Sequence, residues 1–439
     1  MKKTLLSFFI GFSALSFAQS WNPQATGFIV LSRGISDIEI VDANTVWGLA
    51  FDGSGAGENV QEFTKTTDGG LTWTPGIIDV GDSLLGINNI SAINGTTAWV
   101  SAVNGTTGQG SVIYKTQDGG QSWTQQNPLG YTNASSFVNY VHFFDANNGI
   151  SAGDPINGEF EIYRTTNGGA TWTLVPGANI PNPTNGEYGY NNGNKAIGNT
   201  VWLVTNKGRI LKSTDQGVTW SVSQAPVTDF GGTAQSARLD FSSTTNGFML
   251  KTVGTTYTFY TTTDGGTTWS SGTPFTGTYR LLSAVPNSNI IVATGAGTTT
   301  GGSGSAFSAD NGVTWTTIDS GNQRGVSAFL NATTGWCGGY NDSSTSGGIF
   351  KFGGSLANST FASSKFKVFP NPATSQVTLS SDSSDSYTVN VMNVEGKSMF
   401  TKNFNNLENT MDISSLSPGV YFFEIKSGDR SETIKVIKN

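Results

Sequence analysis

The sequence predicts an all-β protein, a seven-bladed β-propeller followed by a small immunoglobulin-like β-sandwich. Three observations indicate this class. A tryptophan motif returns every 46 to 50 residues, a strand-like element returns between its copies, and from Phe366 onward the chain changes to alternating segments separated by turns. Charged residues make up only 12% of the chain, and 57 of its 439 residues are glycine. This composition suits short strands and many turns.

The tryptophan motif, [ST]-x-[DN]-x-G-x-[ST]-W, occurs six times. A repeat of about 40–50 residues made of short strands is typical of propeller blades. We expect the Asp or Asn side chain to bond its own turn, glycine to adopt a positive φ, and tryptophan to pack between blades. The predicted structural pairs are Asp68 and Trp73, Asp118 and Trp123, Asn167 and Trp172, Asp215 and Trp220, Asp264 and Trp269, and Asp310 and Trp315.

The strand-like element between the motifs occurs seven times, once more than the motif itself, from residues 42–51 to residues 331–340. No seventh motif follows residue 354. Instead, QSWNPQ at residues 19–24 resembles QSWTQQ at residues 121–126, which belongs to the second motif. Because the first strand of a closed ring can complete the last blade, we expect Trp21 to replace the motif tryptophan of blade seven.

These motifs resemble the Asp-box (BNR) repeats of sialidases, sortilin-type receptors, xyloglucan-degrading glucanases and photosystem II assembly factors. The resemblance covers about residues 21–354. It implies that each box is a turn between the two outer strands of a blade, and that the boxes are structural.

The other segments predict export. Residues 1–18 contain Lys2 and Lys3 followed by an apolar run, and Ser16-Phe17-Ala18 fits a cleavage site, so they are expected to be a signal peptide. The expected propeller spans residues 19–354 and a polar linker spans residues 355–365. No later run approaches the length of a membrane span. The net charge of −7 argues against a nucleic-acid partner.

Residues 366–439 resemble the type A C-terminal sorting domain of type IX secretion, through VFPNPA at 368–373 and ISSLSPGVYFFEI at 413–425. The resemblance implies a bacterium of the Bacteroidota, the secretion machinery as partner of this domain, and removal of the domain after export. The implied location is the cell surface, anchored to lipopolysaccharide, or the extracellular space.

Three blades share an Arg-x-x-Ser segment before their innermost strand, beginning at Arg33, Arg280 and Arg324. Equal register in neighbouring blades one, six and seven places these arginines near the channel mouth, and Arg238 of blade five extends the group. Because arginine suits a bidentate grip on a carboxylate, sulfate or phosphate, the four are candidate anion-binding residues. In the alternative, each arginine pairs with a local Asp or Glu or points into water.

These features favour a non-catalytic module that binds a glycan or a surface protein through its channel mouth. One alternative is a glycoside hydrolase, for which Tyr188 with Glu187 and Glu159 with Glu161 are the available partners. A second is a scaffold for assembling another protein complex. Since Cys337 and His142 are the only residues of their types, no Cys/His zinc site is expected, and neither is any other metal or cofactor.

Overall fold

The structure is a computed structural model that describes residues 19–104, 107, 110–126, 131–356, 366–381, 386–405, 407–427 and 430–439. The expected signal peptide and most of the expected linker lie outside these residues. The chain divides into two compact units, Met1–Ala357 and Asn358–Asn439. Both consist of antiparallel strands, with 3-10 turns at Gly177–Asn179 and Thr298–Thr300. The predicted all-β class is confirmed.

The first unit is a ring of seven blades. The strands of blades 1 to 6 run outward from the axis in chain order, and in blade 7 the first strand of the chain is the outermost. The chain begins with β1 (Ser20–Ala25), which is described with the last blade. Blade 1 consists of β2 (Arg33–Ile40), β3 (Val46–Asp52), β4 (Glu62–Thr66) and β5 (Thr74–Ile77). Blade 2 consists of β6 (Leu85–Ala92), β7 (Ala98–Asn104), β8 (Val112–Thr116) and β9 (Thr124–Gln125). Blade 3 consists of β10 (Val138–Phe143), β11 (Gly149–Ile156), β12 (Glu159–Thr165) and β13 (Thr173–Leu174).

The remaining blades repeat this arrangement. Blade 4 consists of β14 (Lys195–Ile197), β15 (Thr200–Val204), β16 (Arg209–Ser213) and β17 (Ser221–Gln224). Blade 5 consists of β18 (Ser236–Phe241), β19 (Gly247–Val253), β20 (Thr256–Thr262) and β21 (Thr273–Pro274). Blade 6 consists of β22 (Leu281–Ala284), β23 (Ile291–Gly297), β24 (Gly302–Ser308) and β25 (Thr316–Ser320). Blade 7 consists of β26 (Ser327–Asn331), β27 (Thr334–Ser343), β28 (Ser346–Gly353) and β1.

The ring closes through β1. This strand pairs with β28 over six register positions, including Trp21 opposite Phe352. Trp21 is buried against Phe329 and Phe352, with ring centroids 6.0 Å and 5.4 Å away, and its Nε1 donates to Ser305 Oγ of blade 6 at 2.8 Å. A single bridge between Gly34 and Tyr340 also joins blade 1 to blade 7. The first strand of the described chain is therefore the outer strand of the last blade.

A tryptophan and a lysine form a repeated contact between neighbouring blades. In blade 2, Trp99 and Lys115 face each other across β7 and β8, and the Lys115 ammonium lies 4.9 Å from the ring centroid. Trp99 Nε1 and Lys115 Nζ both donate to the Gly168 carbonyl oxygen in the box of blade 3, at 3.3 Å and 2.9 Å. We call this contact the Trp–Lys latch. The other three copies pair Trp47 with Lys65, Trp202 with Lys212 and Trp336 with Lys351.

All four latch tryptophans are fully buried, and each latch lysine donates to a backbone carbonyl of the next blade. The contact combines a cation over an aromatic face with a charge-assisted hydrogen bond. In blade 3 an arginine occupies the lysine position, and Arg164 Nε donates to the Gln216 carbonyl oxygen of blade 4 at 2.8 Å. Blades 5 and 6 have uncharged residues there, Thr261 and Phe307.

The second unit is a small sandwich of two sheets around its own core. One sheet has the order β29 (Phe366–Phe369), β30 (Gln376–Ser381), β33 (Glu408–Asp412). The other has the order β32 (Ser398–Phe404), β31 (Tyr387–Asn393), β34 (Gly419–Ser427), β35 (Arg430–Lys438). Val389, Phe423 and Met411 are fully buried between the sheets. The predicted β-sandwich is confirmed.

Candidate functional site

The box turns occupy one face of the propeller, which we call the lower face. The innermost strands begin on the opposite, upper face. In blade 1, Asp68 Oδ1 accepts from Thr66 Oγ1 at 2.8 Å and from the Thr72 backbone N–H at 2.9 Å, and Thr72 Oγ1 donates to Asp68 Oδ2 at 2.6 Å. The bonds from Thr72 hold the pKa of Asp68 at about 2. Equivalent bonds close the other five boxes. These side chains are occupied within their own turns.

Arg33 begins β2 at the upper face, and its guanidinium is held by carboxylates. Nη1 lies 2.9 Å from Glu58 Oε2, and Nε lies 3.0 Å from Glu62 Oε1. Burial lowers the pKa of Arg33, but the bonds to Glu58 and Glu62 outweigh burial and raise that pKa above its ordinary value. This guanidinium is therefore neutralised within its own blade.

Arg324 and Arg280 also have partners. Arg324 Nη2 lies 2.6 Å from Asp319 Oδ2, and its guanidinium lies 4.1 Å from the centroid of the Phe350 ring. The Arg280 guanidinium instead lies 3.9 Å from the centroid of the Tyr257 ring. These contacts favour the alternative in which the arginines have local partners. A shared anion site at the three arginines stays a prediction.

Arg238 differs from the other three predicted arginines. Its side chain on β18 is exposed, and it makes no ion pair, side-chain hydrogen bond or ring contact with another residue of the described chain. Surrounding protein nevertheless lowers the pKa of Arg238 through desolvation. Of the four candidates, Arg238 has the guanidinium most available to an anionic group.

A cavity of about 390 Å³ opens at the upper face, where blades 6, 7 and 1 meet. Phe51 and Tyr340 form one wall as an edge-to-face pair with ring centroids 5.7 Å apart. Ser36, Thr300 and Gln323 add hydroxyl and amide groups. The Tyr340 hydroxyl and the Gln323 amide make no hydrogen bond to other described residues. The volume lies within the range of about 300–1,000 Å³ typical of ligand sites.

The shared Arg-x-x-Ser segments form part of this cavity, but through the residues that follow the arginines. Ile35, Ser36, Leu281 and Val326 line it, whereas the arginine side chains do not. The Arg-x-x-Ser segments therefore adjoin a cavity, and the predicted arginine site stays a prediction. The aromatic pair was not predicted from the sequence, because Phe51 and Tyr340 lie near the ends of the second strands of blades 1 and 7 and share no motif.

Charged side chains face one another across the central channel below the mouth. Lys195 Nζ of β14 lies 2.8 Å from Asp240 Oδ1 of β18. Lys195 also interacts electrostatically with Asp37 and Glu39 of β2, on the opposite side of the ring. Burial and the neighbouring Asp37 carboxylate raise the pKa of Glu39 to about 8. Glu39 is thus protonated at neutral pH.

Two aromatic groups adjoin this cluster on β10. The Glu39 and Asp37 carboxylates contribute to raising the pKa of Tyr140, although burial is the larger cause. Burial lowers the pKa of His142 to about 4, so this imidazole is neutral above that pH.

We expect the free energy of unfolding to fall as the pH rises from 5 to 8, and Glu39→Gln to remove part of that fall. The folded state raises the pKa of Glu39 from 4.5 to about 8, so it favours the protonated acid. The stabilisation is complete below pH 4.5 and is lost as the pH rises through 8. At about 1.4 kcal/mol per pKa unit, the loss is at most about 5 kcal/mol. Thermal unfolding of wild type and variant at pH 5, 6, 7 and 8 measures it.

The matched control is Asp342→Asn, which changes an exposed carboxylate outside the channel. This variant should retain the pH dependence of the wild type. Parallel curves for Glu39→Gln and wild type across the range contradict the prediction.

The first pair available to a glycoside hydrolase, Tyr188 and Glu187, makes local contacts. Glu187 has a fully buried side chain that receives hydrogen bonds from Thr184 and Thr205 and forms an ion pair with Arg209. Its neighbour Tyr188 is exposed, and its ring packs edge-to-face on Tyr190. Glu187 is therefore used to hold the loop before blade 4.

Glu159 and Glu161 also have different environments. Glu159 is exposed, whereas Glu161 is buried and accepts a hydrogen bond of 3.2 Å from the Tyr163 hydroxyl. Burial raises the pKa of Glu161 and, more strongly, that of Tyr163. This Tyr–Glu pair was not predicted from the sequence, although its two-residue spacing on one strand face could have indicated it. Because both side chains are buried, a substrate cannot reach them in this conformation.

Two further features concern the part of the chain that the structure describes. No three His, Cys, Asp or Glu side chains there are grouped so that they could hold a metal ion. Nor does this part contain a helix long and apolar enough to cross a membrane.

Comparison with protein families identifies the C-terminal unit. The model of the secretion system C-terminal sorting domain matches residues 367–439. Residues 367–439 are a secretion-system sorting domain. The sorting domain directs its chain through the type IX secretion system to the cell surface or the extracellular space. The partner of the sorting domain is accordingly the secretion machinery. Among curated proteins, no sequence matches the chain.

Solved structures of other proteins are similar to much of the chain. YCF48 from Cyanidioschyzon merolae is 15% identical, with a TM-score of 0.50, over 76% of this chain and 99% of its own. YCF48 bound to D1 peptide is 18% identical, with a TM-score of 0.48, over 76% and 97%. PorZ, a surface component of the type IX system of Porphyromonas gingivalis, is 13% identical, with a TM-score of 0.46, over 92% and 59%.

Proposed function

We propose that the propeller is a non-catalytic module that binds a protein partner through its upper face after export. The observation that carries this proposal is an exposed apolar segment beside the cavity of blades 6, 7 and 1. Ile29, Val30 and Leu31 are 85%, 42% and 60% exposed. Three consecutive exposed apolar side chains on a folded surface are typical of an interaction site.

The segment is held in place beside the cavity. Asn341, which follows Tyr340 of the cavity wall, donates through Nδ2 to the Val30 carbonyl oxygen at 3.0 Å and accepts from the Arg33 backbone N–H at 2.8 Å. The Asn341 carbonyl oxygen also accepts from the Ser32 backbone N–H. This fixed geometry lowers the entropic cost of binding, because the segment is already ordered.

The cavity supplies the second half of a protein-binding surface. A partner side chain that enters it meets the Phe51 and Tyr340 rings, with the Gln323 amide available for a hydrogen bond. Aromatic residues in a well-packed pocket are typical of interface hot spots. The same rings and hydroxyl groups also suit a sugar, which makes a glycan the second candidate ligand.

The experiment places a photo-crosslinking benzoylphenylalanine at Leu31 in the bacterium that exports the protein. We expect one discrete cross-linked protein, at least about tenfold more abundant than from Leu71, an exposed position on the lower face. Tyr340→Ala combined with the Leu31 probe should reduce the product by a similar factor, since truncating an interface hot spot costs about 2 kcal/mol or more.

A glycan array and a sialoside and glucan hydrolysis assay on the same protein test the other ligand classes. Equal cross-linking from Leu31 and Leu71 contradicts the proposal. Glycan binding that Tyr340→Ala abolishes, without a cross-linked protein, replaces the protein partner by a glycan. Turnover of either substrate class replaces the binding module by a glycoside hydrolase.

A further inference from the structure

The boundary between blades 5 and 6 is built differently from the latched boundaries. At the positions of the latch tryptophan and lysine, blade 5 has Phe248 and Thr261, which face each other across β19 and β20. Both side chains are smaller than their counterparts, and threonine has no cation to reach the box of blade 6. A smaller pair at a packed boundary leaves space that the neighbouring side chains do not fill.

A cleft of about 580 Å³ opens at this boundary on the lower face. Phe248 and Ile291 form its apolar floor, and both are buried. Asn246 and Thr263 of blade 5 and Asn287 of blade 6 are among the polar residues around it. None of the residues that line the cleft is charged.

The polar side chains of the cleft have unused hydrogen-bonding capacity. The side-chain amides of Asn246, Asn287 and Asn311 make no hydrogen bond to another described residue, and neither do the hydroxyls of Thr261 and Thr263. Their backbones are nevertheless fixed, since the Asn287 N–H donates to the Ser242 carbonyl oxygen at 2.7 Å and the Asn311 N–H donates to that of Asn289 at 3.1 Å. Three amides and two hydroxyls thus border one cleft on a rigid backbone.

This lining matches the chemistry of a neutral sugar. Each amide provides a donor and an acceptor, which complement the hydroxyl groups of a sugar ring, and the apolar floor suits its C–H face. A charged ligand would find no opposite charge in the lining. A peptide could not add as a strand, because β19, β20 and β23 already have a neighbouring strand on both edges.

We propose that the cleft between blades 5 and 6 is a binding site for a neutral saccharide. The site is on the opposite face from the proposed protein-binding surface and does not depend on it. Because Thr261 lines the cleft at the position of the latch lysine, a lysine introduced there should occupy part of it.

The test measures binding of methyl glycosides of glucose, galactose, mannose, fucose and N-acetylglucosamine to the full chain by saturation-transfer NMR and titration. We expect at least one to bind with a dissociation constant of roughly 1 mM, a typical affinity of about −4 kcal/mol for a small ligand. Thr261→Lys should weaken that binding at least tenfold, because the lysine fills the cleft and reaches the box of blade 6.

The melting temperature of Thr261→Lys and two further variants, Asn246→Ala and Thr256→Lys, separate loss of the binding site from loss of the fold. Thr261→Lys should raise Tm by about 2 °C through the new latch contact. Asn246→Ala removes an amide that makes no bond within the protein, and it should also weaken binding at least tenfold. Thr256→Lys adds the same charge at the exposed start of β20 on the upper face and should leave binding unchanged.

The proposal requires binding by wild type and Thr256→Lys together with its loss in both Thr261→Lys and Asn246→Ala. Absence of binding by all five glycosides overturns it, as does binding that either cleft variant retains. Whether the upper face binds a protein partner does not affect the outcome of this test.

Discussion

Trp21→Ala is expected to lower the free energy of unfolding of the propeller by about 3–5 kcal/mol. The indole is buried among Phe329, Phe352 and other residues of blades 6 and 7, and its Nε1 donates to Ser305 Oγ. Removing it leaves a cavity in the blade that closes the ring and removes one hydrogen bond to Ser305 Oγ, which still donates to Asp319 Oδ1 in blade 6. Urea denaturation followed by tryptophan fluorescence and circular dichroism measures the change.

The control for Trp21→Ala is Leu71→Ala, which truncates a side chain that is 86% exposed. An exposed truncation of this kind changes stability by less than about 0.5 kcal/mol. A loss below 1 kcal/mol for Trp21→Ala shows that β1 contributes little to ring closure.

Trp202→Ala is expected to cost a similar amount, about 3–5 kcal/mol, through the latch between blades 4 and 5. The ring is fully buried and stacks on Phe241 with centroids 4.2 Å apart. Its Nε1 donates to the Gly265 carbonyl oxygen at 2.9 Å. The substitution therefore removes packing and leaves a buried carbonyl oxygen without this donor. Urea denaturation measures the loss.

A double substitution shows how much of that loss belongs to the latch as a unit. Trp202→Phe with Lys212→Thr reproduces the Phe248 and Thr261 pair of blade 5. We expect it to cost about 2 kcal/mol, less than Trp202→Ala, because phenylalanine fills more of the space. If Trp202→Ala costs less than 1 kcal/mol, the latch does not hold these blades together.

The blade count and the ring closure follow from features that are local in sequence. Each box is a continuous eight-residue motif, and its bonds join residues two to four positions apart, as in Thr66, Asp68 and Thr72. The resemblance of residues 19–24 to residues 121–126 is also a comparison of short segments. Local patterns of this kind are what a single sequence expresses well.

The partners of the arginines could not be predicted in the same way. Arg33 pairs with Glu58 and Glu62, which lie 25 and 29 residues further along the chain on the far side of a strand and a loop. The equal register of the Arg-x-x-Ser segments predicts equal height of the three arginines in the ring. It does not determine where each long side chain turns, because that depends on the neighbouring strands of the blade.

The cleft between blades 5 and 6 is hidden from sequence for a further reason. The sequence shows Thr261 only as one more residue before a box. Thr261 is unusual only in comparison with Lys65, Lys115 and Lys212 at the equivalent positions. The carbonyl oxygens that accept hydrogen bonds from these lysines lie in the next blade, about 50 residues away. The contacts at a boundary involve residues of two blades, so they can be identified only from the structure of both.

The pairing of β1 with β28 also determines when the ring can be completed. The two strands are separated by more than 300 residues, so β1 is synthesised first and has no partner until residues 346–353 have followed. The ring is therefore complete only in a chain that contains both ends of the propeller. A chain truncated before residue 346 retains β1 without its partner strand.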